Sequence, residues 1–433
     1  MKIKIKKKSY QEVVSLPQPK HQKPMRQSLF FRLLLYVASS FALIGRRLTL
    51  KRVGMDRLGK REPCLFLMNH SAFIDLEIAS VALFPRRFSI VCTSDALIGK
   101  HLLMRFLGCI PTKKFIFDLG LVRDMTYALK ELKQSVLLFP EAGYSFDGTS
   151  TTLPKNLGSF VKALGVPVVM IETQGAFAHQ PLFNELKKRN VKVSAEMRYL
   201  FSAEDCKEKS TEELQKEIEQ QFSFDAFRQQ QEQKIKIDEQ ERTKGLERLL
   251  YKCPACLAEG KTEGIGTELI CHACGKHYKL DEYGFMRAKT GETEIPHIPD
   301  WYAWERERVK QELTDGSYRL DCDVHILMLV NANCLYDVGN GRLTHTKDGF
   351  RLLGSDGSWE YTQKPISSYT LNSDFNWYEI GDVIGIGNPK ALYYCFPKDQ
   401  KIPVAKARLA TEELYKLIRK ERDDRRKDRR DEK

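Results

Sequence analysis

The stretch LFLMNHSAFIDLEI, residues 65–78, gives the strongest indication of the fold. It opens with four apolar residues, which is typical of a buried strand, and closes on a pattern typical of a helix. Similar strand-like runs lie at 64–68, 88–93, 135–139, 166–171 and 191–200, and helix-like stretches lie at 72–82, 121–132 and 157–164. This alternation predicts a layered α/β domain over residues 61–202.

Polar residues follow the first predicted strand, where open α/β sheets place their sites. His70 and Asp75 are five residues apart and would lie about 140° apart on a regular helix. They can therefore meet only if His70 lies on the loop and Asp75 in the first helical turn. A neutral imidazole can take a proton from a hydroxyl while a carboxylate orients the ring. The alternative is a helix cap beside an exposed histidine.

A second polar loop follows the predicted strand at 135–139, in the sequence LLFPEAGYS, residues 137–145. Glu141 begins this loop directly after Phe139 and Pro140, and Gly143 and Ser145 follow. A proline at a strand exit, then a carboxylate and a glycine, suits a loop whose backbone approaches a ligand. The alternative is an ordinary turn.

The positive charge of the chain is concentrated at one end. Residues 1–60 contain nine Lys and six Arg against Glu12 and Asp56, which accounts for the whole net charge of +13. A charge confined in this way indicates a local anionic partner such as a membrane surface. Residues 1–27 are expected to be a mobile basic arm, and residues 28–60 a membrane-associated helical segment.

The most apolar stretch is 28–45, whose polar residues Ser28, Arg32, Ser39 and the following Arg46 would form one thin stripe on a helix. We expect a helix that lies in or dips into the cytosolic leaflet. A single membrane span and a buried core helix are the alternatives. The expected location is therefore the cytosolic face of a membrane.

Four of the eleven cysteines form the pattern C-x2-C-x14-C-x2-C, at Cys253, Cys256, Cys271 and Cys274. Two such pairs around a β-capable stretch resemble a zinc ribbon over residues 251–280, with one structural zinc held by four thiolates. His272 or His277 is an alternative ligand. The weak excess of lysine over glutamate in this segment disfavours nucleic acid as a partner.

The other segments have less specific patterns. Residues 203–250 are expected to be a solvated helical extension, 281–316 a linker with a helix, and 421–433 a charged tail. Short apolar runs over 317–400, followed by a helix at 404–420, predict a small β-rich domain of pleckstrin-homology-like type over residues 317–420. Asn340-Gly341 is predicted to be a hairpin turn within it.

Together, in this order and roughly seventy residues apart, the two polar loops resemble those of the glycerol-phosphate acyltransferase superfamily, most of all the lysophosphatidic acid acyltransferases. The resemblance covers about residues 25–200. The NHxxxxD block of the family is matched by Asn69, His70 and Asp75, and its FPEGTRS block by Phe139, Pro140, Glu141 and Ser145. Ala142 replaces the usual glycine. Tyr144 replaces the usual arginine, which weakens the expectation of a phosphorylated acceptor.

The resemblance implies an O-acyltransferase of phospholipid biosynthesis. Such an enzyme moves a fatty acyl group from acyl-CoA or acyl-carrier protein to a lysophospholipid hydroxyl, with His70 as general base and Asp75 holding its ring. Asn69 and the loop from Phe139 to Ser145, including Gly143, would contact substrate. The cation for the acceptor would be Lys113, Lys114 or Arg123. Two alternatives stay open: a lipid-binding family member with no activity or an altered acceptor, and a zinc-ribbon protein that binds nucleic acid or another partner.

Overall fold

The computed structural model describes residues 3–114 and 119–431, with the backbone alone for 426–431. Two residues of the expected charged tail, 432 and 433, lie outside the described part. Before residue 250 the helices and strands are, in chain order, β1 (Ile5–Lys7), α1 (Tyr10–Val14), α2 (Leu29–Ala42), β2 (Thr49–Val53), β3 (Leu65–Met68), α3 (Ile74–Leu83), β4 (Phe88–Thr93), α4 (His101–Phe106), β5 (Cys109–Thr112), α5 (Leu119–Lys130), β6 (Ser135–Leu138), α6 (Leu157–Leu164), β7 (Val168–Gln174), α7 (Ala176–His179), β8 (Ser194–Phe201), α8 (Ala203–Glu208), α9 (Thr211–Gln221) and α10 (Ala226–Glu232).

Seven of these strands form one sheet in the order β2-β8-β7-β3-β6-β4-β5. The five strands from β3 to β7 run parallel, and β8 and β2 run antiparallel to them. Strand β3 lies at the centre and alternates between two apolar cores. Leu65 and Leu67 pack toward α5, α6 and α9, whereas Phe66 and Met68 pack toward α3. Both faces of the sheet are covered, so β3 is apolar throughout, and the α/β prediction is confirmed.

The two strands that the sequence pattern did not reveal, β2 and β5, lie at the two edges of the sheet. Most side chains of β2 are exposed, and β5 has only four residues, one of which is Pro111. Proline and polar residues are tolerated at sheet edges because one side of an edge strand needs no hydrogen-bond partner.

Beyond residue 250 the chain forms two more β structures and two long helices. They are β9 (Thr262–Ile265), β10 (Glu268–Cys271), β11 (His277–Leu280), β12 (Met286–Ala288), α11 (Ile298–Asp315), β13 (Leu320–Leu329), β14 (Leu335–Thr346), β15 (Gly349–Gly354), β16 (Glu360–Gln363), β17 (Asn372–Trp377), β18 (Gly381–Gly387), β19 (Leu392–Pro397) and α12 (Val404–Asp431). Strands β9–β12 form a small antiparallel sheet that carries the cysteine pairs. Strands β13–β19 form a larger antiparallel sheet in the order β16-β15-β14-β13-β19-β18-β17.

Residues 5–14 form β1 and α1, so the interpretation of residues 1–27 as a mobile arm is wrong for this part of the segment. Strand β1 pairs in parallel with β14, with Ile5 opposite Leu335. Helix α1 is capped at Ser9, whose side chain and backbone exchange hydrogen bonds with Glu12. Val13 on this helix is fully buried in the core of the β-rich part. The first residues of β14, which β15 leaves unpaired, and the buried side chain of Val13 thus hold a segment that is otherwise rich in lysine.

Two further expectations differ from the structure. Residues 203–250 are not simply solvated, because α9 packs against α6 and buries Leu214 and Ile218. Asn340-Gly341 lies within β14 and not in a turn. A side chain at Gly341 would place its Cβ 2.4 Å from the carbonyl oxygen of Leu353 on the neighbouring strand, so this glycine permits close strand packing.

Helix α2 presents its apolar side to the solvent. Its residues Phe30 and Phe41 are 68% and 69% exposed, whereas Ser39 of the predicted polar stripe is 3% exposed and faces the protein. The helix packs on α3, and Phe31 stacks on Phe106 of α4 with ring centroids 5.7 Å apart. In the described residues, no helix combines the length and the apolar character that crossing a bilayer requires.

The β-rich part lies against the α/β domain near the ends of its parallel strands. Phe375 of β17 packs on Phe146, with ring centroids 4.4 Å apart. The guanidinium of Arg408 on α12 lies 4.3 Å from the centre of the same Phe146 ring. Tyr378, just beyond β17, donates a hydrogen bond of 3.4 Å to Asp95, which follows β4. These contacts place β17 beside the loops that carry the predicted site.

Candidate active site

Most of the predicted site residues lie just beyond the carboxyl ends of the parallel strands, at one end of the sheet. His70 follows β3, Glu141 follows β6, and Lys113 and Lys114 follow β5. Because β6 is the immediate neighbour of β3, the two predicted loops lie side by side. This is the position in which open α/β sheets bind their ligands.

His70 lies on the loop before α3, and Asp75 is the second residue of that helix. His70 Nδ1 is 3.4 Å from Asp75 Oδ2, which is slightly longer than the contact of about 2.6–3.2 Å typical of a working acid–base pair. The His70 side chain is 21% exposed, and Asp75 is fully buried. The pair therefore has one ring edge open to a reactant and the other directed at a carboxylate.

Asp75 is fixed by three donors in addition to His70. Its Oδ2 accepts from the backbone nitrogens of Ser71, at 2.6 Å, and Ala72, at 2.9 Å. Its Oδ1 accepts from the hydroxyl of Thr173 on β7, at 2.9 Å. Hydrogen bonds from backbone N–H groups favour the charged form of a carboxylate. Asp75 is thus held rigidly as an acceptor for the imidazole N–H.

Asn69 joins the same loop to the neighbouring strand. Its Oδ1 accepts from the backbone nitrogen of Thr173 at 2.7 Å, and its Nδ2 donates to the carbonyl oxygen of Thr173 at 3.2 Å. Asn69 is fully buried. These hydrogen bonds to Thr173 hold the loop that carries His70 in position. A contact between Asn69 and substrate stays a prediction.

Glu141 links the two loops through hydrogen bonds. Its Oε2 accepts from the backbone nitrogen of His70 at 2.7 Å, and its Oε1 accepts from the backbone nitrogen and the hydroxyl of Thr151 at 2.8 and 3.2 Å. The residue is fully buried. Burial raises its pKa to about 7, although the donors from Thr151 and His70 oppose this shift. Both oxygens are occupied by the protein, and contact with substrate stays a prediction for Glu141.

Aromatic rings flank the imidazole. The ring centroid of Phe139 lies 4.1 Å from that of His70, and the ring of Tyr144 lies at 4.5 Å. Burial raises the pKa of Tyr144, and the nearby carboxylates of Asp374 and Asp75 raise it further. Tyr144 therefore stands beside His70 as a neutral phenol, at the position where the family has a cation.

The remaining loop residues support this arrangement. Ser145 donates its backbone N–H to the carbonyl oxygen of His70 at 3.0 Å, and its hydroxyl donates to the carbonyl oxygen of Thr149 at 2.6 Å. Pro140 is buried and Gly143 is half-buried in the same loop. His70 is consequently held from two sides, by Glu141 at its nitrogen and by Ser145 at its oxygen.

The three predicted cations lie in different surroundings. Lys114 is half-buried, and its charge lowers the pKa of Asp374. Lys113 donates a hydrogen bond to the carbonyl oxygen of Pro389 in the β-rich part. The Arg123 side chain is 64% exposed on α5, and its Nε lies 3.8 Å from Asp124. Of these three cations, Lys114 is the one whose charge acts on Asp374.

A polar cleft of about 470 Å³ opens beside the pair. Ser71 and Thr173, the two residues that also bond Asp75, form one end of it. The rest is lined mainly by residues at the end of β7 and on α10: Glu172, Gln174, Gly175, Phe177, Ser223, Phe224, Asp225, Ala226, Arg228, Gln229, Glu232 and Gln233. The segment that was expected to be a solvated extension therefore forms one wall of a cleft at the site.

The four predicted cysteine ligands converge as a second site. Their sulfur atoms all lie within 4.8 Å of one another, with Cys253 and Cys274 at 3.9 Å and Cys256 and Cys271 at 3.7 Å. Four thiolates at about 2.3 Å from a tetrahedral zinc would be about 3.8 Å apart. This cluster could hold a metal ion. The alternative ligands are engaged elsewhere, because His272 pairs with Glu263 and His277 with Glu268.

The sequence pattern did not reveal two residues that hold the site together, Thr173 and Thr151. Both are ordinary threonines on other segments, and they bond Asp75 and Glu141. The signal for Thr173 was its place at the end of an apolar strand.

Residues 50–172 match the acyltransferase family model. Among solved structures, the chain is similar to the 1-acyl-sn-glycerophosphate (LPA) acyltransferase PlsC from Thermotoga maritima, with 19% identity and a TM-score of 0.35, over 45% of this chain and 77% of that one. A search of curated proteins finds no match. The family match over residues 50–172 confirms the resemblance to the glycerol-phosphate acyltransferase superfamily.

Proposed function

We propose that the protein is an O-acyltransferase that moves a fatty acyl group from acyl-CoA or acyl-carrier protein to the hydroxyl of a lysophospholipid. One observation carries the proposal: the buried Asp75 faces the half-open imidazole of His70 at the carboxyl edge of the matched acyltransferase domain. The surrounding rings of Phe139 and Tyr144 exclude water from one side of the imidazole.

In the proposed mechanism His70 acts as general base. Its Nε2 takes the proton of the acceptor hydroxyl, while Nδ1–H donates to Asp75 and the carboxylate stabilises the imidazolium that forms. The acceptor oxygen attacks the thioester carbonyl and a C–O bond forms. The tetrahedral intermediate then collapses, the C–S bond breaks, and His70 returns the proton to the leaving thiolate. This route needs no nucleophile from the protein.

The substrate contacts remain part of this proposal. Lys114 is the favoured cation for the acceptor because its charge reaches Asp374 beside Tyr144, whereas Arg123 points to solvent on α5. Phe139 and Gly143 line the loop next to His70. Asn69, Pro140, Glu141 and Ser145 act mainly by keeping that loop in place.

We also propose that α2 and α4 dock the protein on the cytosolic face of an anionic membrane. Their exposed apolar residues adjoin one another through Phe31 and Phe106, and basic residues such as Arg46, Arg47 and Arg105 lie close by in the chain. An apolar helical face with a basic border is typical of interfacial binding. This face would bring the site to its lipid acceptor.

A structural zinc at the cysteine cluster is the third part of the proposal. The ribbon is tied to α11, because Lys252 donates its backbone N–H to Glu305 and Trp301 packs on Tyr278. Lys252 and Lys406 share the carboxylates of Glu259 and Glu312, which links the ribbon to α12 as well. The zinc would stabilise the junction between the ribbon and the β-rich part. The seven strands closed by α12 support the pleckstrin-homology-like interpretation.

His70→Ala is expected to lower acyl transfer from acyl-CoA to a lysophospholipid by a factor of about 10² to 10⁴, because the general base is lost. Transfer is measured by release of free CoA. The matched control is His325→Ala, which removes a part-exposed histidine 3.5 Å from Asp337, far along the chain. Normal turnover by a folded His70→Ala protein would contradict the mechanism.

Glu141→Gln is expected to lower the transfer rate by about 100-fold, because an amide cannot accept from both His70 and Thr151, and the base is then misplaced. Both oxygens of Glu141 can accept these hydrogen bonds fully only when its carboxyl group is ionised. The wild-type rate should therefore fall as the pH drops through about 7, the pKa of this buried carboxyl.

A pH–rate profile of kcat/KM separates this effect from simple destabilisation. The control is Thr151→Val, which removes only the 3.2 Å hydroxyl contact and should change the rate by less than about threefold. An unchanged acid limb in Glu141→Gln would show that Glu141 does not set it.

Purified protein is expected to contain one zinc per chain by mass spectrometry of metals, and Cys271→Ser should lose it and melt at a lower temperature. Cys395→Ser is the control, since Cys395 is equally buried but lies outside the cluster. A wild-type protein prepared without chelators and devoid of zinc would refute the assignment.

Phe30→Ser/Phe41→Ser is expected to weaken binding to anionic phospholipid vesicles at least tenfold in co-sedimentation, since about 1.5–3 kcal/mol of apolar burial is lost for each ring. Leu257→Ser removes an apolar residue of the ribbon that is 56% exposed and serves as control. Equal binding of both variants would place the docking face elsewhere.

A further inference from the structure

The proposed mechanism makes no use of the cleft of about 470 Å³ beside the His70–Asp75 pair. Ser71 and Thr173 line one end of this cleft, and both donate hydrogen bonds to Asp75, at 2.6 and 2.9 Å. The volume lies within the range of about 300–1,000 Å³ that is typical of small-molecule sites. The cleft is therefore large enough to hold part of a substrate next to the reacting group.

One wall of the cleft, the segment 223–233 that contains α10, is attached to the loop after β6. Ala226 donates its backbone N–H to the carbonyl oxygen of Gly148 at 2.8 Å. Phe224 donates its backbone N–H to the hydroxyl of Ser150 at 3.1 Å. The same loop supplies the carboxylate that accepts from the backbone of His70. The wall and the imidazole are therefore positioned by one loop.

The lining of the cleft is polar and rich in amides. Among the described lining residues, no aliphatic side chain is larger than that of Ala226. A fatty chain is stabilised by burial against apolar groups, so the cleft does not suit the acyl chain of either substrate. The lining includes the side-chain amides of Gln174, Gln229 and Gln233, which can both donate and accept hydrogen bonds. These properties favour a polar ligand that itself contains amides.

The charges of the lining narrow the choice further. Three carboxylates share the cleft with one guanidinium, that of Arg228, whose side chain is 60% exposed and so lies on the open side. Glu172 is paired with Arg198 at 2.6 Å. Asp225 is paired with His297 at 2.7 Å. A ligand with no charge along its length and one anionic group at its exposed end matches this distribution.

We propose that the cleft binds the phosphopantetheine arm of the acyl donor, with the glutamine amides contacting the amide groups of the arm and Arg228 pairing with its phosphate. The arm is common to acyl-CoA and acyl-carrier protein, and it is uncharged between the thioester and the phosphate. The thioester then reaches His70 from the side of Ser71 and Thr173. This inference rests on the proposed acyltransferase function and assigns its donor site.

Arg228→Gln tests the phosphate contact. The KM for palmitoyl-CoA should rise about tenfold because a charge-assisted hydrogen bond is lost, whereas kcat and the KM for the acceptor should stay within about twofold. The acceptor is whichever of lysophosphatidic acid, lysophosphatidylglycerol and lysophosphatidylethanolamine the wild type acylates fastest. With S-palmitoyl-pantetheine, which lacks the phosphate, the variant and the wild type should have the same KM.

Arg287→Gln is the matched control. Arg287 is 67% exposed and also lies beside an aspartate, Asp281, but it belongs to the ribbon. All its KM values should equal those of the wild type. Palmitoyl-carrier protein is tested in the same way, and the donor whose KM rises in Arg228→Gln is the one whose arm occupies the cleft.

Gln229→Leu tests the amide contact independently of the phosphate. It should raise the KM for palmitoyl-CoA and for S-palmitoyl-pantetheine alike, by about fivefold, because a hydrogen bond to the arm is lost in both cases. The KM for the acceptor should not change. A rise confined to the acceptor in either variant would place the acceptor in the cleft and overturn the inference.

Binding of CoA alone to the full chain, measured by isothermal titration calorimetry, separates this inference from the proposed function. Weaker binding of CoA by Arg228→Gln than by the wild type supports the donor site even if no lysophospholipid is acylated. Acyl transfer with equal donor KM values in the wild type and both variants overturns the donor site and leaves the proposed function standing. Absence of both acyl transfer and CoA binding in the wild type overturns both.

Discussion

The buried carboxylate of Glu141 is the contact on which the arrangement of the site depends. It binds the backbone nitrogen of His70 on one loop and Thr151 on another, at 2.7 and 2.8 Å. A carboxylate inside an apolar core is unfavourable unless donors surround it. The loop after β6 supplies the buried carboxylate, and the loop after β3 supplies a backbone N–H donor for it. The His70 backbone therefore cannot move without leaving an oxygen of Glu141 without a hydrogen bond. Asp75, Thr173 and Asn69 extend the same constraint to the neighbouring strand.

The local features of this design were predictable from the sequence. Buried parallel strands such as β3 and β4 are continuous apolar runs, and the His70–Asp75 spacing makes sense only at a strand-to-helix turn. These features depend on residues that are close in the chain. The family match supports the acyltransferase domain, and the convergence of Cys253, Cys256, Cys271 and Cys274 agrees with the predicted metal site.

The features that escaped prediction depend on distant partners. β1 pairs with the first residues of β14, some 330 residues away, which β15 leaves unpaired, and Gly341 serves strand packing although Asn-Gly usually marks a turn. The thin polar stripe of α2 favoured a helix lying in a membrane leaflet and left a buried core helix as an alternative; in the structure Ser39 of that stripe faces the protein and Phe41 faces out. Sequence periodicity shows that a helix has two faces, but not which face the rest of the protein covers.

The pairing of β1 with β14 has a consequence for the order of events during synthesis. The first strand of the chain finds its partner only after about 346 residues have been made, and Asp374 follows later still. At the usual rate of about 5–20 residues per second, the ribosome needs tens of seconds to reach that point. The α/β domain and its apolar helix α2 emerge well before. The seven-stranded sheet can therefore form while β1 is still without its partner strand, so the first ordered segment of the chain is among the last to find its place.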